Sequence, residues 1–419
     1  MNMIYKNLKV NVVSYILSIK DKKTTRLIIE YYYFIVFGVY LGSIFSPYIR
    51  TGVTMTIFLF FLFLNSRIQN IGNNRSFILY IFAIYCLLSI IGYTYNDVSS
   101  VVPYFADISN QLLPMMLFFI PPGMIDKEKF FNMTALGIAL SLIFGLYFLF
   151  TSPSYYVDFI SRVAFEDYER TLGTVGLRFQ SIYGSIITGT LCLYLIILSS
   201  YKIFYTKLTY KSLILNLAYF VLGVSCAFMS QQRSAMAITF VLLLAPFSVY
   251  FFRAPKPKKL YTVIVAGGIV FISTYLVVAI PDYIDRYIYR LSEIESGLSD
   301  RDNQWKTAIE NNPNLITGIG LGSSGHKAQG YYQYLVFDGG YWKILNEVGI
   351  VGFTIFILPI FGILLKHIRS FPKLYRCYMV VLCVMVQSVA SNTICFMLTL
   401  PMFWFALRTI NQEGQQCKA

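Results

Sequence analysis

Residues 181–200 read SIYGSIITGTLCLYLIILSS and hold no charged side chain. A mainly apolar run of about 20 residues can cross a ~30 Å hydrocarbon core as a helix. In that medium a helix satisfies every backbone N–H and C=O within its own segment. Similar runs recur near 28–46, 51–65, 76–93, 107–121, 132–151, 212–229, 234–252, 260–280, 346–365, 377–392 and 394–407. Hydrophobic residues are 57% of the 419 and charged residues 13%, against about 25% charged in soluble domains. The expected fold is an all-α polytopic membrane protein. It is a single integral membrane domain over 1–419 with about twelve spans, several of them short or broken by proline. The first 26 residues are lysine-rich and only moderately apolar, unlike a cleaved signal peptide.

Charge sets the expected orientation. With the N-terminus inside, the cytoplasmic segments take 23 of the 34 Lys and Arg. Among these are Lys202, Lys207 and Lys211, then Arg253, Lys256, Lys258 and Lys259, then Lys366, Arg369, Lys373 and Arg376, all in short connections where the positive-inside rule is strongest. The net charge of +14 is thereby a topology signal and does not imply nucleic acid. Both termini are expected in the cytoplasm. Five of the seven cysteines fall within spans and none in a long outer loop, so no disulfide is expected to staple those loops. Two histidines, His326 and His367, are too few for a histidine-rich metal site, and no metal or cofactor is expected.

Two long loops remain for the outer face, 152–180 and 281–345. Eight of the eleven outer basic residues are arginine, whose planar fork suits bidentate phosphate recognition. Each loop carries an arginine followed after ten residues by glycine: Arg162 to Gly173 (RVAFEDYERTLG) and Arg286 to Gly297 (RYIYRLSEIESG). Arg170, Arg178 and Arg290 join them as candidate ligands of an anionic, lipid-linked substrate. The bland alternative is a surface helix on which Arg162–Glu166 and Glu166–Arg170 pair at i,i+4, each worth ~0.2–0.5 kcal/mol.

The second loop should open with an amphipathic helix through Ile284, Tyr287, Leu291 and Ile294. A short helix should follow, with Ser299 and Asp302 at capping-box spacing and the Asn312–Pro313 pair as its stop. Arg301 and Trp305 lie within it. Gly318, Gly320, Gly322 and Gly325 then read as a turn in preference to a phosphate cradle, because the Gly-Lys-Ser/Thr of a nucleotide loop is missing. The Asp300-x-Asp302 pair resembles a metal–nucleotide signature but lies where no nucleotide sugar is found. Arg233, in the short outer turn MSQQRSAM, is either functional or a snorkelling side chain. Asp338, in YLVFDGGYWKILNEVGIVG, is either a helix N-cap or a general base beside the arginines. Tyr341 and His326 complete the candidate substrate-binding set.

These features resemble the O-antigen polymerases of the Wzy type, within the O-antigen ligase/polymerase superfamily of membrane glycosyltransferases. The paired Arg-ten-Gly segments look like those of the two periplasmic polymerase loops. MSQQRSAM looks like the superfamily's Ser-Arg-Gly/Ser-Ala turn, which maps its arginine to Arg233. RDNQWKTAIENNPNLITGIGLGS resembles the Arg…Trp…Pro…Gly-x-Gly-x-Gly stretch and carries over Arg301 and Trp305, while Arg178 in GLRFQSIYGSIITG matches the arginine before span six. Asp338-Gly339, nine residues, Gly349 and Gly352 keep the spacing of a ligase motif but put aspartate where ligases have histidine; His326 lies twelve residues too early to replace it.

The resemblance implies a GT-C-like fold in the bacterial inner membrane. It implies polymerisation of undecaprenyl-diphosphate-linked repeat units at the periplasmic face, with a chain-length regulator protein as partner. Arg233, Arg301 and Asp338 are the catalytic expectations. The alternatives are an O-antigen ligase using lipid A-core as acceptor, and a lipid-linked oligosaccharide flippase or other transporter. Transport is disfavoured at this point because span middles are almost free of charge and no repeated halves are visible. A membrane scaffold leaves the Arg/Asp loop unexplained.

Overall fold

A computed structural model of the chain describes residues 22–46, 49, 52, 56, 83–92, 102–120, 125–163, 179–253, 294–325, 328–332 and 335–416. Of these, 22–25, 113, 116, 244–253, 294–300 and 415–416 are described by backbone alone. The expected span 260–280, the span 51–65 except residues 52 and 56, and residues 76–82 of the span at 76–93 lie outside the described residues. So do Arg170, Gly173, Arg178, Arg286, Arg290 and His326.

The described chain is helical. The helices are α1 (Lys22–Glu30), α2 (Tyr32–Ser43), α3 (Ala83–Gly92), α4 (Val102–Asp107), α5 (Lys127–Thr151), α6 (Ser154–Val163) and α7 (Ser185–Tyr205). They continue with α8 (Tyr210–Met229), α9 (Arg233–Arg253), α10 (Ile294–Glu310), α11 (Gly340–Lys366), α12 (Tyr375–Ala390) and α13 (Leu400–Gln416). Four of them, α5, α7, α8 and α11, are long and apolar enough to cross a membrane, and α2, α3 and α12 are shorter apolar helices. This is the architecture of a helical membrane protein.

The centre is α7. Its residues Thr188 to Ser200 are buried on every side, as expected of a helix hydrophobic all round. It packs against α5, α8, α9 and α12. Glycines set the close crossings: a Cβ on Gly137 of α5 would come within 2.8 Å of the Tyr33 backbone of α2. Without hydrophobic drive between helices in lipid, such close approach is what holds them.

One end of the bundle gathers opposite charges. Glu128, at the start of α5, receives Lys202 from the end of α7 at 2.9 Å and the Arg376 guanidinium from the start of α12. Arg376 also lies 4.0 Å over the Phe131 ring and 4.6 Å over Tyr201. Lys127 meets Glu413 of α13 at 2.7 Å, and Lys129 and Arg26 both reach Glu30. Basic residues that the charge rule assigns to the cytoplasm thus share one end.

Three stretches break regular helix. After α4 the chain runs through a π-helical turn, Ile108–Leu112, a short α turn, Leu113–Met115, and a 3-10 turn, Met116–Phe119. α11 begins six residues before the expected span and is interrupted at Gly349 (φ 67°, ψ −176°). The loop from Leu315 to Gly320 fills that break: Ile350 and Val351 N–H donate to the Leu315 and Ile316 carbonyls, and Ile319 and Gly320 N–H donate to Asn346 and Glu347. A Cβ on Gly349 would overlap the Ile316 carbonyl, so only glycine fits.

The third is 391–399, expected to lie largely within a span at 394–407. There α13 starts only at Leu400, and a 3-10 turn, Thr393–Cys395, precedes it. Tyrosine hydroxyls from other helices satisfy the exposed carbonyls: Tyr33 donates to Leu398 at 2.8 Å and Tyr194 to Thr399 at 2.6 Å. Irregular backbone at membrane depth survives only where protein supplies such partners.

In the second long loop, α10 is one continuous helix from Ile294 to Glu310. Ser299 therefore lies inside it, not at an N-terminus, and Gly297 is helical; the capping box is replaced by an i,i+4 ion pair of Asp302 with Lys306 at 2.5 Å. That hydrogen bond raises the Lys306 ammonium above its ordinary pKa. The helix does stop just before Asn312–Pro313.

Candidate functional site

Two polar clusters sit along the first turns of α11, at the end of the bundle opposite the Glu128 network. The outer one joins two residues singled out in the sequence. Arg301, on α10, meets the Asp338 carboxylate at 2.8 Å, with the two side chains 32% and 27% exposed. Another arm of the same guanidinium donates to the Ala390 carbonyl at 3.3 Å, at the end of α12. A cation at a helix C-terminus is favoured by the exposed carbonyls there. Asp338 is not the cap of α11: the N-cap is Gly339, which makes no side-chain bond. The Asp338 backbone carbonyl accepts the Trp305 indole N–H at 2.5 Å. The Asn392 amide holds the Phe337 carbonyl at 2.5 Å, and Gly340 N–H donates to Ser391. Asp338 is thereby fixed between α10 and the end of α12.

The inner cluster was not anticipated. Lys343 and Glu347, one turn apart on α11, pair at 2.9 Å, and Lys343 also bonds Asp107 at the end of α4. The three side chains are 3%, 0% and 6% exposed. The Gln111 amide bridges Asp107 at 3.4 Å and Glu347 at 3.3 Å. Tyr85 donates to Gln111 at 3.3 Å. Gly322 and Ser324 N–H donate to Glu347 Oε1 at 3.1 and 3.2 Å.

The glycine-rich segment is therefore neither a free turn nor an open phosphate cradle. Its N–H groups enclose the chain's own carboxylate. Positive φ at Gly318, Gly320 and Gly322 turns them that way, the geometry of an anion-binding nest. These charges stand at the edges of the expected spans 107–121 and 346–365, not in their middles, yet one cation and two carboxylates lie wholly inside the helix bundle, beside the break in α11. The hint in the sequence was Lys343-x-x-x-Glu347 at i,i+4 spacing, which gives no sign of Asp107.

The other expected residues divide. Arg233 opens α9, half-buried and engaged in an interaction of its own. Its neighbour Gln232 is lodged against Gly189 of α7. Arg162, whose expected partner Glu166 lies outside the described residues, is on the surface of α6 and pairs with Asp158 at 2.6 Å, one turn back along the helix. This exposed i,i+4 pair contributes little. Tyr341 turns away from Asp338: its hydroxyl donates to the Met385 carbonyl at 2.7 Å. Trp305 does join the outer cluster, stacked on Trp342 with ring centroids 5.5 Å apart. Chemically, the outer cluster offers a cation for an anionic group, a carboxylate for a proton and an aromatic surface. The inner one is saturated with internal bonds. Searched against protein-family models and against characterised proteins, the chain finds no match.

Proposed function

We propose that this protein is a membrane glycosyltransferase that polymerises undecaprenyl-diphosphate-linked oligosaccharide repeat units at the outer face of the bacterial inner membrane. The observation that carries the reading is the meeting of Arg301 and Asp338 at 2.8 Å, both partly open to solvent. Neither side chain is used up by the fold alone. A diphosphate is a stronger partner for the Arg301 fork than one carboxylate. Its arrival draws Arg301 away and leaves Asp338 as an acceptor. The acceptor sugar's hydroxyl oxygen then bonds to the donor's anomeric carbon. The bond from that carbon to the diphosphate oxygen breaks, and the hydroxyl proton passes to Asp338. Arg301 stabilises the charge that builds on the leaving diphosphate, and such placed charge is worth about 2–4 kcal/mol, roughly a hundredfold or more in rate.

The test is the polymer ladder of a deletion strain carrying variants. Arg301→Ala and Asp338→Asn are expected to stop chain growth while protein levels in the membrane stay normal. Arg301→Lys keeps charge without the fork and should restore growth only in part. In the deletion strain itself, a single repeat on the lipid core supports the polymerase. Loss of all repeats from the core, with polymer accumulating on its lipid carrier, turns the assignment to a ligase. Normal ladders from both Arg301→Ala and Asp338→Asn refute the chemistry.

A second reading, transport of a lipid-linked oligosaccharide, is favoured by one observation: the ionisable cluster beside the break in α11, since interrupted helices and buried charges mark substrate pathways in transporters. Purified protein in detergent separates the two. Lengthening of lipid-linked glycan there needs no sealed compartment and supports the enzyme.

A further inference from the structure

We infer that the stacked pair Trp305–Trp342 is a docking platform for a pyranose ring of the acceptor glycan, edged by Arg301 and Asp338. This rests on the reading of the chain as an enzyme of lipid-linked glycans. The chain has three tryptophans, and two of them stack face to face here at an interplanar angle of 18°. With Ala308 and Val336 they form a small cluster separate from the main core. Tryptophan at a membrane edge commonly serves as an anchor with its N–H toward water. Trp305 does not: its N–H is spent on the Asp338 carbonyl at 2.5 Å.

Trp305 is also clamped from below. Gly339, at φ 102°, lies so close that a Cβ would reach within 2.9 Å of the indole nitrogen. One indole is therefore rigid and buried, and it fixes the second, Trp342, which is only partly covered. A pyranose ring presents a face of polarised C–H groups that complements the electron-rich face of an indole. Its rim of hydroxyls needs donors and acceptors beside that face. Arg301 supplies N–H donors and Asp338 carboxylate oxygens, both partly exposed. A flat apolar surface with a few convergent polar groups is what recognition of a hydroxylated ring requires. The third tryptophan, Trp404, is packed edge-on against Phe118, Phe356 and Phe403 and takes no part.

The experiment uses the full chain in lipid nanodiscs. The probe is the oligosaccharide repeat unit released from its lipid carrier by mild acid, with binding followed by calorimetry and chain growth on the intact lipid-linked unit followed in parallel. Trp342→Ala is expected to weaken oligosaccharide binding at least tenfold and to raise KM for the acceptor with kcat largely kept. Trp342→Phe, which retains an aromatic face and guards against misfolding, should fall between. Trp404→Phe should bind as the parent does. Unchanged binding and KM in a folded Trp342→Ala protein that still lengthens glycan overturn the platform and leave the proposed function standing. A parent protein that neither binds the oligosaccharide nor lengthens the lipid-linked unit overturns both.

Discussion

Replacing Lys343 by methionine removes the cation that faces both Asp107 and Glu347. Methionine fills similar volume, so the change is mainly one of charge. Two carboxylates then remain in a site where Glu347 is 0% exposed, and breaking a buried pair in this way costs about 3–5 kcal/mol. Glu347→Gln is the informative partner. Its remaining oxygen can still accept from Gly322 and Ser324, and Lys343 keeps Asp107, so the residual ion pair is balanced. What it loses is a charge-assisted bond, and its new NH2 faces two donors, a cost of about 1–3 kcal/mol. The two variants should thus rank with Lys343→Met clearly the worse. An unfolding entropy of about 2.1 cal/mol/K per residue over 419 residues converts one kcal/mol into about 1 °C. Lys343→Met should therefore melt about 3–5 °C lower, and Glu347→Gln about 1–3 °C lower, when heated detergent extracts are scored by size-exclusion chromatography. The double variant should fall short of the sum of the two, since each single change removes the same contact. If Glu347→Gln melts below Lys343→Met, or Lys343→Met melts within about 1 °C of the parent, the cluster is not held by charge balance.

Gly349→Ala should lower folded yield sharply, because the residue sits at φ 67° and ψ −176° with the Ile316 carbonyl standing where the alanine methyl would have to go, a backbone region essentially reserved for glycine; yields equal to the parent's would mean that α11 is not broken there. Tyr194→Phe should cost about 1–3 kcal/mol by leaving the Thr399 carbonyl without its donor in the bundle interior, read as an earlier melting transition, and Tyr194→Phe melting like the parent would remove the tyrosine support of 391–399. Reporter fusions should place residue 310 outside and the Lys207–Lys211 segment inside; the reverse pattern would undo the charge-based orientation.

The helical membrane character was legible because hydropathy needs only composition along one segment. Residues 181–200 announced α7 without reference to anything else. Hydropathy is blind to dihedral angles, so it drew 346–365 and 394–407 as ordinary spans, although Gly349 breaks the first and the second becomes helix only at Leu400. The sequence sets Asp338 beside several arginines, but nothing in it singles out Arg301 as its partner. Their pairing depends on how α10 lies against the start of α11, which no local pattern records. The inner cluster was the least visible. Lys343 and Asp107 are 236 residues apart, and Lys343 stood at what looked like the edge of a loop. A charge at a predicted span boundary resembles an interface residue until tertiary packing covers it.

The tyrosine supports of 391–399 bear on the order in which the protein can be assembled. Tyr33 and Tyr194 come from α2 and α7, made long before residue 391 leaves the ribosome. A carbonyl left bare inside a membrane protein is costly, and the connection at 391–399 finds donors for its Leu398 and Thr399 carbonyls on those earlier helices. It therefore needs a receptacle that is already standing, and the early helices provide it. Met402 N–H, which meets the Tyr33 hydroxyl at 3.2 Å, extends that receptacle into the first turn of α13. Synthesis from N- to C-terminus thus suits this chain in a specific sense: residues 391–399 are delivered after α2 and α7, onto hydroxyls that wait for them. A chain rearranged to make α12 and α13 first would present those carbonyls to lipid before any donor existed, and quality-control proteolysis would compete with its completion.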